Sequence, residues 1–315
     1  MRMRPERGVS AGRRRCGRLF SAALLAAVAP AARAAQAAEA AEAASSMRIA
    51  AVDWAAAETL AMLGVMPVAV PEFDVYRQWL PQSALPDNTV DLGSRTEPNF
   101  EVLAMLAPER IFVSGWQKAL LPRFEKIAPT DVATIFDARK MPFQRIRDLA
   151  EQAGRVTQKE SQAARALQEF DADMARLAGR LQPLQGRRVY VAVLHENGSQ
   201  AFIYGPGSWV HTVIELLGMR NALHEKTSMY GNALVNISAF AADPGAHLIY
   251  LDQGDRTRRA ERILKDSSLW RSLPAVRAGR VTAIASFYAL GGLPSARRCG
   301  NLLGAAMMAQ LEGGR

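Results

Sequence analysis

An α/β protein of two lobes joined by one long helix is what the sequence predicts, on three observations. From Met47 onward, short β-like runs alternate with helical ones, the signature of a layered α/β architecture. Between residues 142 and 186 the alternation stops and two helical stretches follow one another. After Pro183 the alternation resumes.

In the first stretch, strands are predicted over Arg48–Val52, Pro67–Val70, Arg110–Val113 and Val132–Phe136, where apolar and β-branched residues cluster. Ala55–Leu63 has the Ala, Leu, Met and Glu content of a helix, ended by Gly64 at a position that tolerates left-handed backbone. Asn99 is placed to cap a helix over Phe100–Leu106.

Phe143–Gln152 then reads as one helix and Gln158–Leu181 as a second, longer one without internal proline. Its apolar residues Ala163, Leu167, Phe170, Met174, Leu177 and Leu181 recur at alternating steps of four and three, so one narrow stripe faces protein. A coiled-coil segment and a rigid strut between lobes both fit that stripe. The α/β pattern resuming beyond Pro183 favours the strut.

The second stretch opens on a strand over Arg188–Leu194. Asn197-Gly198 before a run over Gln200–Tyr204 signals a hairpin. Further strands are expected at His247–Leu251 and Arg280–Ala285, and helices at Trp209–Leu217, Arg258–Lys265 and Ala296–Gln310.

With 49% apolar residues in 315, the chain can bury a sizeable core, which excludes intrinsic disorder throughout. Residues 1–34 hold eight arginines against one glutamate, a local +7 out of the chain's +9, so the remainder carries +2. Nothing in that remainder forms a phosphate-tracking surface, and nucleic acid is not an expected partner. The N-terminal basic stretch, the apolar run Leu19–Val28 and the alanines near Ala34 and Ala37 read as an export signal, with Arg13-Arg14-Arg15 suggesting the twin-arginine route. The expected organisation is a signal peptide over 1–34, a flexible tether over 35–46, an N-terminal lobe over 47–157, a linker helix over 158–185 and a C-terminal lobe over 186–315. A monomer in the periplasm is expected.

Catalytic and metal-binding patterns are sparse. Cys16 and Cys299 cannot make a disulfide framework or a zinc site, and His195, His211, His224 and His247 are scattered outside any metal-ligand spacing. Gly205-Pro206-Gly207-Ser208 lies between a strand and a helix, where backbone amides can meet an anion, but no lysine completes a phosphate loop. A tight turn with Ser208 as helix cap is the favoured reading. Ser208 with His211 as nucleophile and base would make a secreted hydrolase, yet no nucleophile elbow surrounds the serine. No enzyme activity and no cofactor are expected.

The segment Asp91-Leu92-Gly93-Ser94-Arg95-Thr96-Glu97-Pro98-Asn99, followed by Glu101-Val102-Leu103 and Leu106-Ala107-Pro108, resembles the periplasmic ferric hydroxamate siderophore-binding proteins. The resemblance runs from about Arg48 to Gly304 and includes Tyr76-Arg77-Gln78-Trp79, Tyr204–Ser208, Ser228-Met229-Tyr230-Gly231-Asn232, and Leu269-Trp270 with Leu273–Val281. The last of these marks a wider superfamily that also binds cobalamin and haem. The resemblance implies two α/β lobes of the class III periplasmic-binding-protein type, and a ligand held in a shallow cleft and delivered to the inner-membrane permease of an ABC importer.

Residue by residue, the resemblance places Arg95 at the arginine that contacts the iron-bound hydroxamate oxygens, a task suited to a planar cation charged at any relevant pH. Its alternative is an ordinary loop ion pair, for instance with Glu97. Trp79 falls on a pocket tryptophan, Trp116 on a tyrosine, Tyr230 on another tryptophan, and Phe287 with Tyr288 on an aromatic pair; Ser286 stands where a tryptophan precedes that pair. Ser228 completes the implied set. The ligand is then an Fe(III)-siderophore complex whose iron the protein does not ligate. A ferric trihydroxamate is neutral, whereas a tris-catecholate carries about three negative charges and would attract several basic side chains. Arg95 is the one basic residue at the mapped contacts, although Arg77 lies near Trp79 and Arg297 and Arg298 follow the Phe-Tyr pair, so charge lowers the catecholate reading without removing it; the same fold binding cobalamin, haem or a catecholate siderophore is the alternative. Docking on the permease is implied through an acidic patch on each lobe, for which Glu125 and Glu261 are the candidates.

Overall fold

β1 (Ile49–Ala51) is buried at every residue, and it lies in the middle of a five-stranded parallel sheet because such a strand has both faces covered. The computed structural model describes residues 47–313; the expected signal peptide, the tether and Cys16 lie outside the described residues. Around β1 stand β2 (Ala69–Val70), β3 (Val90–Asp91), β4 (Arg110–Ser114) and β5 (Thr130–Ala133), in the order β3-β2-β1-β4-β5. The connections are helical: α1 (Trp54–Met62), α2 (Phe73–Trp79), α3 (Phe100–Met105), and a 3-10 turn over Gly115–Leu120 running into α4 (Leu121–Phe124). Asn99 caps α3 as expected, its side chain accepting from the Glu101 and Val102 amides.

The two helices that interrupt the alternation are α5 (Pro142–Thr157) and α6 (Glu160–Arg180). α5 is six residues longer than the sequence pattern suggests, five of them at its C-terminal end, and α6 begins two residues later. Gln158 explains both differences: at φ 56° it ends α5 in the left-handed conformation, and the chain turns there. Ala163, Leu167, Phe170, Met174, Leu177 and Leu181 are all buried, as the stripe requires.

β6 (Arg188–Leu194) centres the second sheet, with β7 (Gln200–Tyr204) antiparallel beside it in the expected hairpin. After α7 (Trp209–Leu216) come β8 (Arg220–Asn221), β9 (Asn232–Asn236), β10 (His247–Asp252), α8 (Asp255–Asp266), the short α9 (Ser268–Ser272) and α10 (Pro274–Arg277), β11 (Val281–Ala285) and α11 (Leu293–Gly313). The order is β11-β10-β6-β7-β9, with β8 pairing the start of β6. α2, β3 and β9 escape the sequence reading because each is short and lacks a sustained apolar period.

One continuous core runs from the first sheet (Ile49, Phe112) through α6 (Phe170, Met174) and α11 (Cys299, Leu303) to the second sheet (Val191, Ile249). α6 lies along α11 so closely that a side chain at Gly300 would strike Met174 and one at Gly304 would press on Leu177. Asp173, the polar member of the buried stripe, is held by Arg297 and Arg176. The outer face of each sheet has its own smaller core, around Leu103 and Phe124 in one and Tyr190 and Phe240 in the other. No described helix is long and apolar enough to cross a membrane.

Candidate ligand-binding face

Parallel strands present their carboxyl ends, and the following loops, at one edge of a sheet, and ligands bind where the strand order reverses. Here the reversal falls at β1, flanked by β2 and β4. Asp53, just past β1, caps α1 by accepting from the Ala56 amide, and Trp54 is buried as the first residue of that helix. Its indole N–H donates to the Pro71 carbonyl at 2.8 Å, which ties the loop after β2 to the loop after β1.

Arg95 projects from the loop after β3. That loop is closed by a Gly93–Pro98 bridge and by Asp91, whose carboxylate accepts from the Gly93 and Phe73 amides. The guanidinium carbon lies 3.8 Å from the centroid of the Trp54 ring. Nε pairs with the Glu72 carboxylate at 2.8 Å, Nη1 donates to the Tyr288 hydroxyl at 2.9 Å, and the backbone carbonyl accepts from Gln117 at 2.7 Å. The ion pair that the alternative reading places with Glu97 is made with Glu72, which reaches Arg95 from a left-handed backbone at φ 51°. About a third of the Arg95 side chain stays exposed, and two of its five N–H groups are committed to described partners.

Tyr288, just past β11, packs on Trp54 (ring centroids 5.2 Å apart) and edge-on to Trp79 (6.4 Å). Arg95, Trp79 and Tyr288 are thus brought together, with Trp54 beneath them. Burial pushes the Tyr288 phenol above its ordinary value, so it stays protonated and accepts from Arg95 as a neutral hydroxyl. Phe287 is placed differently from Tyr288: it is 1% exposed, packed against Trp209 and Tyr204, and presents no surface. The alternation of neighbouring side chains sends one ring of the pair inward.

Tyr230, 37% exposed, packs at a tilt against Phe136 with ring centroids 5.6 Å apart, and Lys140 Nζ donates to the Thr227 carbonyl in the same region. The Ser228 hydroxyl donates to Asn232 and accepts from the Tyr230 amide, so it shapes the turn that carries Tyr230. Trp116 is half exposed at the carboxyl end of β4, next to the Gln117 that holds Arg95. Sequence reasoning missed Trp54, Glu72 and Gln117. Trp54 carried a usable signal, an aromatic directly after the first strand at the edge where such folds bind ligands.

The other arginines near the mapped positions are engaged elsewhere. Arg77 pairs with Asp87, Arg297 with Asp173 and Glu169, and Arg298 donates to the Ser286 carbonyl. Glu125 follows α4 and is exposed; Glu261, exposed on α8, accepts from the Tyr250 hydroxyl. Ser208 is buried, its hydroxyl donating to the Gly205 carbonyl and accepting from the His211 amide, so it serves as the cap of α7. Cys299 is buried in α11, and burial pushes its thiol well above the ordinary range. Among the described residues no group of three His, Cys, Asp or Glu could hold a metal ion.

Residues 49–287 match the family described as "Periplasmic binding protein". The chain belongs to the periplasmic binding protein family. It is 26% identical over 249 residues to the iron(3+)-hydroxamate-binding protein FhuD of Escherichia coli strain K12, covering 79% of this chain and 83% of that one. It is 24% identical over 259 residues to the petrobactin-binding protein YclQ of Bacillus subtilis strain 168, covering 78% and 77%. Among solved structures, the Fe3+-Desferal-bound siderophore-binding protein FhuD of Vibrio cholerae superposes with a TM-score of 0.78 at 28% identity, over 84% of this chain and 99% of that one. FeuA of Bacillus subtilis, a triscatecholate siderophore-binding protein, superposes at 0.65 with 17% identity, a likeness of fold alone. The α/β class inferred from the sequence is that of this family.

Proposed function

We propose that this protein is the substrate-binding component of an ABC importer, capturing ferric hydroxamate siderophores outside the cytoplasm and handing them to an inner-membrane permease. The observation that carries this reading is the setting of Arg95: a single cation, laid on Trp54 and partly balanced by Glu72, beside Tyr288 and Trp79. A cation so balanced suits a neutral complex that offers iron-bound hydroxamate oxygens to its remaining N–H groups. It suits a highly charged tris-catecholate poorly, since Arg77, Arg297 and Arg298 are engaged away from it. The E. coli relative, named for binding iron(3+)-hydroxamate, and the Vibrio siderophore-binding protein, whose structure holds Fe3+-Desferal, support the same choice.

In this reading Arg95 anchors the metal-bound oxygens, Trp79, Trp116, Tyr230 and Tyr288 bury the variable organic backbone, and Ser228 orients Tyr230. Phe287 supports Tyr288 from the core. The siderophore fills the iron's coordination sphere, so no protein ligand to the metal is required. The lobes are 47–157 and 186–315, bridged over 158–185, and the core continuous through α6 limits their closure to small displacements. Glu125 and Glu261 are the proposed contacts to the permease.

Titration of tryptophan fluorescence in the mature protein with ferric desferrioxamine, ferrichrome, a ferric tris-catecholate, haem and cobalamin tests the reading. Saturable quenching by the hydroxamates at far lower concentration than by the others is expected. Preferential binding of the catecholate, haem or cobalamin would overturn it.

A further inference from the structure

Trp54 and Glu58 are four residues apart on α1 and share one face of it, one turn above the other. Trp54 lies under Arg95 and Tyr288, and Glu58 meets the start of α11. Its carboxylate is fully buried and makes three hydrogen bonds: from the Gly292 amide at 2.5 Å, from the Ser295 hydroxyl at 2.9 Å and from Gln82 Nε2 at 3.3 Å. Gly292 immediately precedes α11 and Ser295 lies in its first turn, so the acceptor stands at the positive end of a 21-residue helix.

The approach is too close for side chains. A Cβ at Gly291 would come within 2.4 Å of the Glu58 carboxylate, and one at Gly292 within 2.6 Å of the Thr59 hydroxyl and 3.1 Å of the Ala55 carbonyl. The Gly291 amide in turn donates to the Tyr288 carbonyl at 2.9 Å. The residues from Tyr288 to Ser295 therefore lie along α1 as a strap with two attachments, Tyr288 on Trp54 and Gly292 with Ser295 on Glu58.

We propose that Glu58 is a positioning residue for ligand capture: by fastening the Gly292–Ser295 end of this strap to α1, it holds Tyr288 against Trp54 and Arg95 without touching the ligand. A buried carboxyl is costly unless its oxygens find their hydrogen-bond partners, so the strap has one favourable register on α1 and Tyr288 has one position. The affinity part of the test rests on the ferric hydroxamate reading; the amide-exchange part does not.

Glu58→Ala, Glu58→Gln, Ser295→Ala and Tyr288→Ala are compared at a temperature where circular dichroism shows each folded. In ligand-free Glu58→Ala the Gly291 and Gly292 amides are expected to exchange with solvent about 100-fold faster than in the unmodified protein, with Ser295→Ala intermediate. Ferric desferrioxamine affinity should fall about tenfold in Glu58→Ala and return to within about threefold in Glu58→Gln, which keeps an acceptor for the Gly292 amide. In the Tyr288→Ala background, Glu58→Ala should change affinity by less than about twofold, because its effect passes through Tyr288. Unaltered exchange, or full additivity with Tyr288→Ala, would overturn the proposal. If Glu58→Ala does not fold, Ser295→Ala with and without Tyr288→Ala decides it on the same criteria. If no hydroxamate binds the unmodified protein, the functional reading fails and the exchange rates alone judge the strap.

Discussion

Arg95 lies over the face of Trp54, its guanidinium carbon 3.8 Å from the ring centroid, and from there it donates to Tyr288, which is 193 residues further along the chain. The cation is thereby oriented before any ligand arrives. A residue on the loop after β3 of the first sheet and one just past β11 of the second meet on a tryptophan that follows β1. Preorganisation of this kind lowers the ordering cost of binding.

Arg95→Ala is expected to weaken ferric hydroxamate binding by about 2–4 kcal/mol, through loss of a charge-assisted donor set. Arg95→Lys should recover only part of this, since an ammonium cannot stack on Trp54 and still present a planar fork to Glu72 and Tyr288. Fluorescence titration of both variants is the measurement. Unchanged affinity in both, with the fold intact, would show that the anchor lies elsewhere.

Gly231 has φ +72°, and a Cβ there would fall 2.0 Å from the Ser208 amide nitrogen and 2.3 Å from the Gly207 carbonyl carbon. Both obstacles are backbone, so the Tyr230 turn must move away from the Gly205–Ser208 turn. Gly231→Ala is expected to cost about 3 kcal/mol or more, against about 1 kcal/mol for Gly64→Ala at the end of α1, which has φ +78° but open space around it. Equal losses in denaturant melts of the two variants would contradict the close packing of these turns.

Burial pushes the Glu58 carboxyl up to about 8, against the opposing pull of its Ser295, Gly292 and Gln82 hydrogen bonds. Asp53, the cap of the same helix, raises it further, and Glu58 in turn raises the phenols of Tyr76 and Tyr288. Between the ordinary value of 4.5 and about 8, the folded protein holds a proton that the unfolded chain has released. Stability contributed by this group therefore falls as pH rises through that window. His247 acts in the opposite sense, because burial, Arg280 and Arg187 hold its imidazole down to about 4, so its contribution is lost as pH falls from 6.5 toward 4. The comparison must be with Glu58→Gln, in which His247 is unchanged. That variant should show a flatter Tm between about pH 5 and pH 8 than the unmodified protein, and parallel curves would mean that Glu58 does not titrate in the window.

Charge reversal of both Glu125 and Glu261 to Lys should leave siderophore affinity intact while reducing ATP-dependent transport into vesicles bearing the cognate permease, because charge complementarity governs docking more than capture. At exposed sites the reversals should cost little stability, although the Glu261 change also removes the acceptor for the Tyr250 hydroxyl. Normal transport would place the docking surface elsewhere; lost ligand binding would place these residues in the binding face or the fold.

The sequence by itself determined the α/β class, the hairpin at Asn197-Gly198, the Asn99 and Ser208 caps and the buried stripe of α6, because each depends on residues near one another along the chain. A period of three and four, a turn dipeptide or a capping side chain acts within a few residues, and its physical consequence is local. The resemblance carried Arg95, Trp79 and Tyr288, which the fold brings together.

Only the tertiary structure decided that Glu72 and not Glu97 pairs with Arg95, that Trp54 lies beneath the guanidinium, that Phe287 turns into the core while Tyr288 turns out, and that Glu58 meets Gly292 across 234 residues. These contacts join segments that no spacing rule connects. A carboxylate on a helix with Ala, Leu and Met around it reads from sequence as a solvated side chain, since charge favours water. Its burial became favourable only where the amide of Gly292 and the hydroxyl of Ser295 came close enough to replace that water, and the packing of two sheets against α6 and α11 is what brought them there.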